Sequence, residues 1–167
     1  MKKFELTSEF VTFLGKKLFR VRALIEFGDV KAGAFGGYIE KEENLSQSGD
    51  AWVYGNARVY GNARVYGNAR VYGDAWVCGD AEVYGNADYA YVHGFGSCFR
   101  TTTFFRLKDG GIGVRCGCFY GTLQEFRDKV QETHGDSKKA KEYLMLADLM
   151  ELRFSKEAED EDGKSDN

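Results

Sequence analysis

Arginine and tryptophan side chains recur every six residues in the middle of the chain, each between an alanine and a valine. The residues concerned are Trp52, Arg58, Arg64, Arg70 and Trp76. Guanidinium groups pair with phosphate and stack on aromatic rings, and indole rings stack on nucleobases. The pattern therefore predicts a surface that binds a small nucleotide ligand. The alternative is a solvated sheet face in which these side chains pair only with one another.

Tyrosine follows the valine in most of these six-residue units. The residues are Tyr54, Tyr60, Tyr66, Tyr72 and Tyr84. A row of phenol rings could bind a planar ligand or a partner chain, and we include the first four in the predicted ligand-binding set. The same rings could instead cover the edges of a thin core of small side chains, and the sequence does not separate these two roles.

Three cysteines in the second half of the chain suggest a metal site. Cys116 and Cys118 lie two residues apart on a predicted strand, where they would share one face, and Cys98 or His93 could add a zinc ligand. A Cys-x-Cys pair without a second pair at ligand spacing is a weak basis for zinc. Because cysteine is also a common small core residue, we predict no metal and no cofactor.

The element that positions the arginines and tryptophans is a six-residue repeat from Ala51 to about His93. Alanine and valine are two residues apart in each unit, so they share one face of a strand while the residue between them faces the other way. Glycine followed by asparagine or aspartate ends each unit, and these residues tolerate the positive φ angles of tight turns. Short strands joined by such turns predict a parallel β-solenoid.

The repeat resembles the hexapeptide repeat of left-handed β-helices, the fold of hexapeptide acyltransferases. It also resembles uncharacterised phage and prophage hexapeptide-repeat proteins described as transferase-like or polymer-forming. Those proteins share the segment Gly-Gly-Tyr-Ile-Glu-Lys-Glu-Glu-Asn-Leu-Ser found here at residues 36–46. The resemblance covers residues 18–154. It implies that three units close one triangular coil and that residues 18 apart stack. The stacked pairs would be Trp52 with Arg70, Arg58 with Trp76, and Arg64 with Glu82.

The resemblance implies three functions. The phage proteins imply a non-enzymatic binding protein that acts on host machinery, as an anti-defence inhibitor that sequesters a nucleotide signal or blocks a defence protein. The acyltransferases imply a histidine base, for which His93 is the candidate, since His134 lies at a predicted helix end where the dipole favours a cation without catalysis. The polymer-forming proteins imply a structural solenoid that self-assembles. We expect the first function and no enzymatic activity.

The chain is predicted to be mainly β and to have four segments. These are an N-terminal β-hairpin cap at 1–35, the solenoid at 36–93, a ββαα cap at 94–154, and a disordered acidic tail at 155–167. Ile39, Leu45 and Ala51 are six residues apart and are expected to share one inward position, which gives about three coils. A solenoid of this length has a small core and open ends that need cover. We therefore expect caps and a homo-oligomer, either a dimer or a trimer.

Each predicted cap contains a strand pair. Alternating apolar residues predict a strand at 18–27 in the first cap, and the second cap has strands at 98–107 and 112–119 around a glycine-rich turn. Thr122 and Glu125 form a predicted capping box for a helix that ends at His134, and Ser137 begins a second helix that ends near Phe154. The predicted buried faces are Leu123, Phe126 and Val130, then Ala140, Tyr143, Leu144, Ala147 and Met150.

Composition argues against two classes of partner. The formal net charge is −3, and residues 155–167 alone hold six acidic residues and two lysines, a charge of −4. The rest of the chain is therefore near neutral, and we expect no long nucleic acid as a ligand. No apolar run suits a signal peptide or a membrane span, so we expect a soluble protein of the bacterial cytoplasm.

Overall fold

The computed structural model describes residues 1–155, apart from the side chain of Cys98. Its elements in chain order are β1 (Phe4–Phe13), β2 (Lys16–Ala23), β3 (Phe35–Ile39), β4 (Trp52–Val53), β5 (Arg58–Val59), β6 (Arg64–Val65), β7 (Arg70–Val71), β8 (Trp76–Val77), β9 (Glu82–Val83), β10 (Tyr89–His93), β11 (Thr101–Arg106), β12 (Ile112–Cys116), β13 (Phe119–Thr122), α1 (Leu123–His134) and α2 (Lys138–Arg153). Neither helix is long and apolar enough to cross a membrane. The predicted disordered tail lies outside the described residues, except for Ser155.

The six-residue repeat forms a β-solenoid with parallel sheets. Strands β4, β5 and β6 pair in parallel with β7, β8 and β9, and the paired residues are 18 apart. The alanines and valines of the repeat are buried, and their small side chains fill the interior. The glycine that ends each unit turns the chain toward the next strand; Gly55, for example, has a φ of 57°. The predicted stacking of Trp52 with Arg70, Arg58 with Trp76, and Arg64 with Glu82 is confirmed.

The first coil is longer than the coils that follow it. Ile39 pairs with Val59 and Leu45 bridges to Val65, so the spacing there is 20 residues. The prediction that Ala51 shares the inward position of Ile39 and Leu45 is therefore wrong by two residues, since Val53 is the residue that takes this position. The extra residues lie in the segment 46–50. Lys3 Nζ donates to one carbonyl oxygen in this segment, that of Gly49 (3.3 Å), and to one directly after it, that of Ala51 (2.8 Å).

The N-terminal hairpin extends one sheet of the solenoid. Strands β1 and β2 pair antiparallel, β2 pairs antiparallel with β3, and β3 runs parallel to β5, so the sheet has the order β1-β2-β3-β5-β8. The strand predicted at 18–27 ends at Ala23. Beyond it, Phe27 and Val30 form an isolated antiparallel bridge that folds the loop back on itself.

The C-terminal part is a four-stranded antiparallel sheet, β10-β11-β12-β13, followed by two helices. The predicted ββαα arrangement missed two strands. Residues 89–93 were predicted to end the solenoid, but Tyr89 pairs with Phe105 and the segment forms the edge strand of this sheet. The strand predicted at 112–119 is split, because Gly117 takes a φ of 58° and turns the chain between β12 and β13.

Both helices begin as the sequence predicts. The Glu125 backbone N–H donates to Thr122 Oγ1 (3.2 Å), and the Thr122 backbone N–H donates to Glu125 Oε1 (2.9 Å). The Ala140 backbone N–H donates to Ser137 Oγ at 3.2 Å. The predicted helix faces pack on the sheet through Phe104 and are confirmed, except that Leu146 is buried and Leu144 is only partly buried.

Candidate ligand-binding cleft

A cleft of about 400 Å³ lies between one face of the solenoid and the C-terminal sheet. From the solenoid it is lined by Asn56, Arg58, Asp74 and Trp76, and from the C-terminal part by Arg100, Thr101 and Gly117. We call it the Trp76 cleft. In this cleft Arg58 and Trp76, which were predicted to bind a nucleotide, meet side chains from outside the repeat.

The repeat itself places the solenoid side of the cleft. Arg58 on β5 pairs in register with Trp76 on β8, so their side chains project from the same face in adjacent coils. Asn56 and Asp74 occupy equivalent turn positions one coil apart. The Arg58 guanidinium carbon lies 5.4 Å from the centre of the Trp76 ring, within the range of a cation–π contact.

Trp76 contacts all three parts of the chain. The ring of Phe13, at the end of β1, packs edge-on against it with centroids 4.6 Å apart. Thr103 of β11 accepts a hydrogen bond from the Trp76 backbone N–H at 3.0 Å. Arg115 of β12 places its guanidinium carbon 5.8 Å from the indole centre. These contacts hold the indole in one position at the edge of the cleft.

The cleft carries an excess of positive charge. Arg58 and Arg100 line it, and Arg115 lies against its tryptophan, whereas Asp74 is the one carboxylate among the described lining residues. Arg115 is only 8% exposed, and its Nε has no hydrogen-bond partner. Neither Arg58 nor Arg115 forms a salt bridge within residues 1–155. A buried cation without an acid partner is costly, so an anion bound nearby would be favoured.

The other predicted arginine and tryptophan residues lie on different faces of the solenoid. Trp52 is 1% exposed because the rings of Phe4 and Phe27 cover it, at centroid distances of 6.2 and 5.2 Å. The prediction that Trp52 is available to a ligand is therefore wrong. Arg70 is on the same face and pairs with Asp29 at 3.5 Å. Arg64 is exposed on the third face, so the predicted residues do not form one flat surface.

The tyrosines stack along the corners and contribute nothing to the lining of the Trp76 cleft. Tyr54 and Tyr72 are stacked with ring centres 4.6 Å apart, and Tyr66 packs edge-on against Tyr84 at 5.1 Å. Burial and a hydrogen bond to Asp29 raise the pKa of Tyr54 to about 12.

Tyr60 is the most buried of these corner tyrosines. Its ring packs against Phe13 with centroids 5.4 Å apart, and burial raises the pKa of its hydroxyl. The role of covering the core thus describes Tyr60 well, while Tyr72 and Tyr84 remain exposed.

The candidate histidine and cysteines are dispersed. His93 is exposed on β10, and its Nδ1 lies 2.9 Å from Oγ1 of Thr101, a residue of the cleft. Cys116 is buried at the end of β12 and Cys118 is exposed in the following turn, so the prediction that they share a strand face is wrong. The side chain of Cys98 lies outside the described part of the structure. Within that part, no three histidine, cysteine or acidic side chains are grouped to hold a metal ion.

Three residues that line the cleft or contact Trp76 are not predicted from the sequence, because they lie outside the repeat. They are Phe13, Arg100 and Arg115. The orientation of Arg115 could have been predicted, because successive side chains of a strand face opposite sides of the sheet. Val114 packs into the core under the helices, so its neighbour Arg115 faces the solenoid.

The comparisons with known proteins concern the repeat. Residues 51–65 and 63–79 match the family model of the YdcK beta-solenoid repeat. A comparison with curated proteins gave no match. The matched segments contain strands β4 to β8 and therefore include both Arg58 and Trp76. The chain is thus a β-solenoid repeat protein whose central repeats are similar to the YdcK beta-solenoid repeat.

Proposed function

We propose that this protein is a non-enzymatic binding protein that captures a nucleotide in the Trp76 cleft. The observation that carries the proposal is the contact of Trp76 with the guanidinium groups of Arg58 and Arg115, neither of which is neutralised by a described carboxylate. An indole beside unpaired cations suits a ligand that is aromatic at one end and anionic at the other.

The chemistry of binding follows from the lining residues. A nucleobase stacks on the accessible part of Trp76, which contributes on the order of 1–3 kcal/mol per base. The phosphate pairs with Arg58 and Arg100, because guanidinium groups donate two parallel hydrogen bonds to phosphate oxygens. Asn56 and Thr101 offer further donors and acceptors for the base or ribose. The cleft volume of about 400 Å³ is within the usual range for small-molecule sites.

The biological role proposed here rests on the resemblance to phage hexapeptide-repeat proteins. A phage protein that sequesters a nucleotide signal in the host cytoplasm would act as an inhibitor of antiviral defence. The resemblance also supports a left-handed winding of the solenoid and a homo-oligomeric assembly. Native mass spectrometry of protein purified from bacterial cells would report the number of subunits and any retained nucleotide in one measurement.

The arginines of the repeat provide a matched test by isothermal titration calorimetry with 5′-AMP and 5′-GMP. Arg58→Ala should weaken binding at least tenfold, because Arg58 lies in the cleft. Arg64→Ala and Arg70→Ala remove the same side chain from the other two faces and should leave the affinity unchanged. Equal losses in all three variants, or no binding of any mononucleotide by the unaltered protein, would contradict the proposal.

Acyl transfer is a second candidate, since His93 contacts a residue of the cleft. In the tautomer in which His93 Nδ1 donates to Thr101 Oγ1, the bond orients the ring and Nε2 is the atom that could act as a general base. The test is turnover of acetyl-coenzyme A by the unaltered protein and by the His93→Ala variant. Turnover that persists in the variant would exclude His93 as the base.

A further inference from the structure

A second cavity lies on the other side of the C-terminal sheet from the Trp76 cleft. It has a volume of about 230 Å³ and is bounded by β12, β13 and the two helices. Its walls include the aromatic rings of Phe119, Phe126 and Tyr143, and its cationic groups are Arg100 and Lys129. None of the described residues that line it carries a carboxylate. A cavity with aromatic walls and two cations suits an anionic ligand group.

Arg100 lines both cavities. Its side chain lies across the turn between β12 and β13, and this path requires a glycine there. A Cβ atom added to Gly117 would be only 1.7 Å from Arg100 Nη1. The Arg100 Nε donates to the carbonyl oxygen of Ser97 at 3.3 Å, which holds the base of the guanidinium. One guanidinium thus stands between the two spaces.

The cations form a series from one cavity to the other. Arg58 is in the Trp76 cleft, Arg100 is shared, and Lys129 is at the second cavity. Lys129 has an acidic neighbour, Glu132, but the 3.7 Å separation is at the exposed surface of α1, where such pairs contribute little. Lys129 therefore remains able to pair with a bound anion.

We propose that the ligand is a nucleotide that carries two separate phosphate groups. This inference rests on the proposed function. The base stacks on Trp76, the first phosphate lies between Arg58 and Arg100, and the second phosphate lies between Arg100 and Lys129. Both a nucleoside bisphosphate and a linear dinucleotide have this chemistry. In a dinucleotide, the second base contacts the aromatic wall formed by Phe119 and Phe126.

The test compares 5′-AMP with adenosine 3′,5′-bisphosphate and with the dinucleotide pApA by isothermal titration calorimetry. The unaltered protein should bind at least one of the two larger probes tenfold or more tightly than 5′-AMP. A gain with the bisphosphate alone supports a bisphosphate ligand, and a gain with pApA supports a dinucleotide. Lys129→Gln should abolish the gain and leave the affinity for 5′-AMP unchanged. Lys139→Gln removes an exposed lysine of α2 outside both cavities and should behave as the unaltered protein.

Failure of this inference is distinguishable from failure of the proposed function. If 5′-AMP binds in the Trp76 cleft but the larger probes bind no more tightly, the two-phosphate inference is wrong and the proposed function stands. An equal loss of 5′-AMP and bisphosphate binding in Lys129→Gln would also overturn the inference. If none of the three probes binds, the proposed function is wrong as well.

Discussion

The guanidinium of Arg115 lies against the indole of Trp76, although the two residues belong to different parts of the fold. Arg115 is nearly buried on β12 of the antiparallel sheet, and Trp76 is on β8 of the solenoid. Docking of the sheet on the solenoid therefore creates both the cleft and its excess of positive charge. A site of this kind depends on how the two parts fit together as well as on the repeat.

Removing the charge of Arg115 should separate its effects on stability and binding. Arg115→Met keeps most of the packing volume and eliminates a buried cation that has no described acid partner, so we expect the free energy of unfolding to stay within about 1 kcal/mol or to increase. Nucleotide affinity should fall severalfold. The control is Arg106→Met, which breaks a half-buried pair with Asp88 (2.9 Å) and should destabilise by about 1–3 kcal/mol. Urea denaturation checks both, and a larger loss in Arg115→Met than in Arg106→Met would contradict this account.

Gly117→Ala should displace Arg100 and leave the fold intact. The added methyl group collides with the end of a flexible side chain, which can move, and the left-handed backbone adds a strain of about 1–2 kcal/mol. We expect weaker binding of 5′-AMP by calorimetry. Gly15→Ala is the matched control, because Gly15 also has a positive φ (75°) and its Cβ would meet no atom within 4 Å. Similar binding by the two variants would show that Arg100 does not need its position on the turn.

The two tryptophans give a direct fluorescence test. Trp52 is buried under Phe4 and Phe27, whereas Trp76 borders the cleft. Addition of 5′-AMP should quench emission in the unaltered protein and in Trp52→Phe, and should have no effect in Trp76→Phe. Thermal unfolding should show the opposite order: Trp52→Ala should destabilise by about 3–5 kcal/mol, the usual range for a buried aromatic residue, and Trp76→Ala by less. Quenching that survives in Trp76→Phe would place the ligand elsewhere.

Lys3 should make stability depend on pH in the alkaline range. Burial lowers its pKa from 10.5 to about 8 in the folded protein. Between these values the unfolded chain binds more protons than the folded one, so the Lys3 contribution to the free energy of unfolding increases as the pH rises. In urea titrations, the free energy of unfolding of the unaltered protein minus that of Lys3→Met should therefore increase from pH 7.5 to pH 9.5. A difference that stays constant over this pH range would contradict the prediction.

The sequence predicts most accurately what the repeat period determines. The register of Arg58 with Trp76 follows from three units per coil, and both residues lie in the cleft. The burial of Trp52 could not be predicted, because its cover comes from Phe4 and Phe27, which are distant in sequence and lie outside any periodic pattern. The same holds for the first coil, where the remote residue Lys3 donates hydrogen bonds to the carbonyl oxygens of Gly49 and Ala51.

Helix boundaries were also predictable, since the contacts that begin each helix are local. The bond between Thr122 and Glu125 spans three residues and does not depend on the rest of the fold. Strand β10 shows the opposite case: Tyr89 continues the tyrosine-rich composition of the repeat, and only its pairing with the remote residue Phe105 assigns it to another sheet.

The 18-residue coil also restricts how the gene of such a protein can change in length. Two of its six-residue units, at 57–62 and 63–68, are identical, so the insertion or deletion of a whole unit would preserve the repeat pattern. A gain or loss of one or two units would rotate the C-terminal sheet to another face of the solenoid and separate Arg115 from Trp76. Three units restore the face and shift the sheet along the axis by about 4.8 Å, the distance between neighbouring strands. Descendants of this chain should therefore differ in length by multiples of 18 residues wherever the cleft is retained.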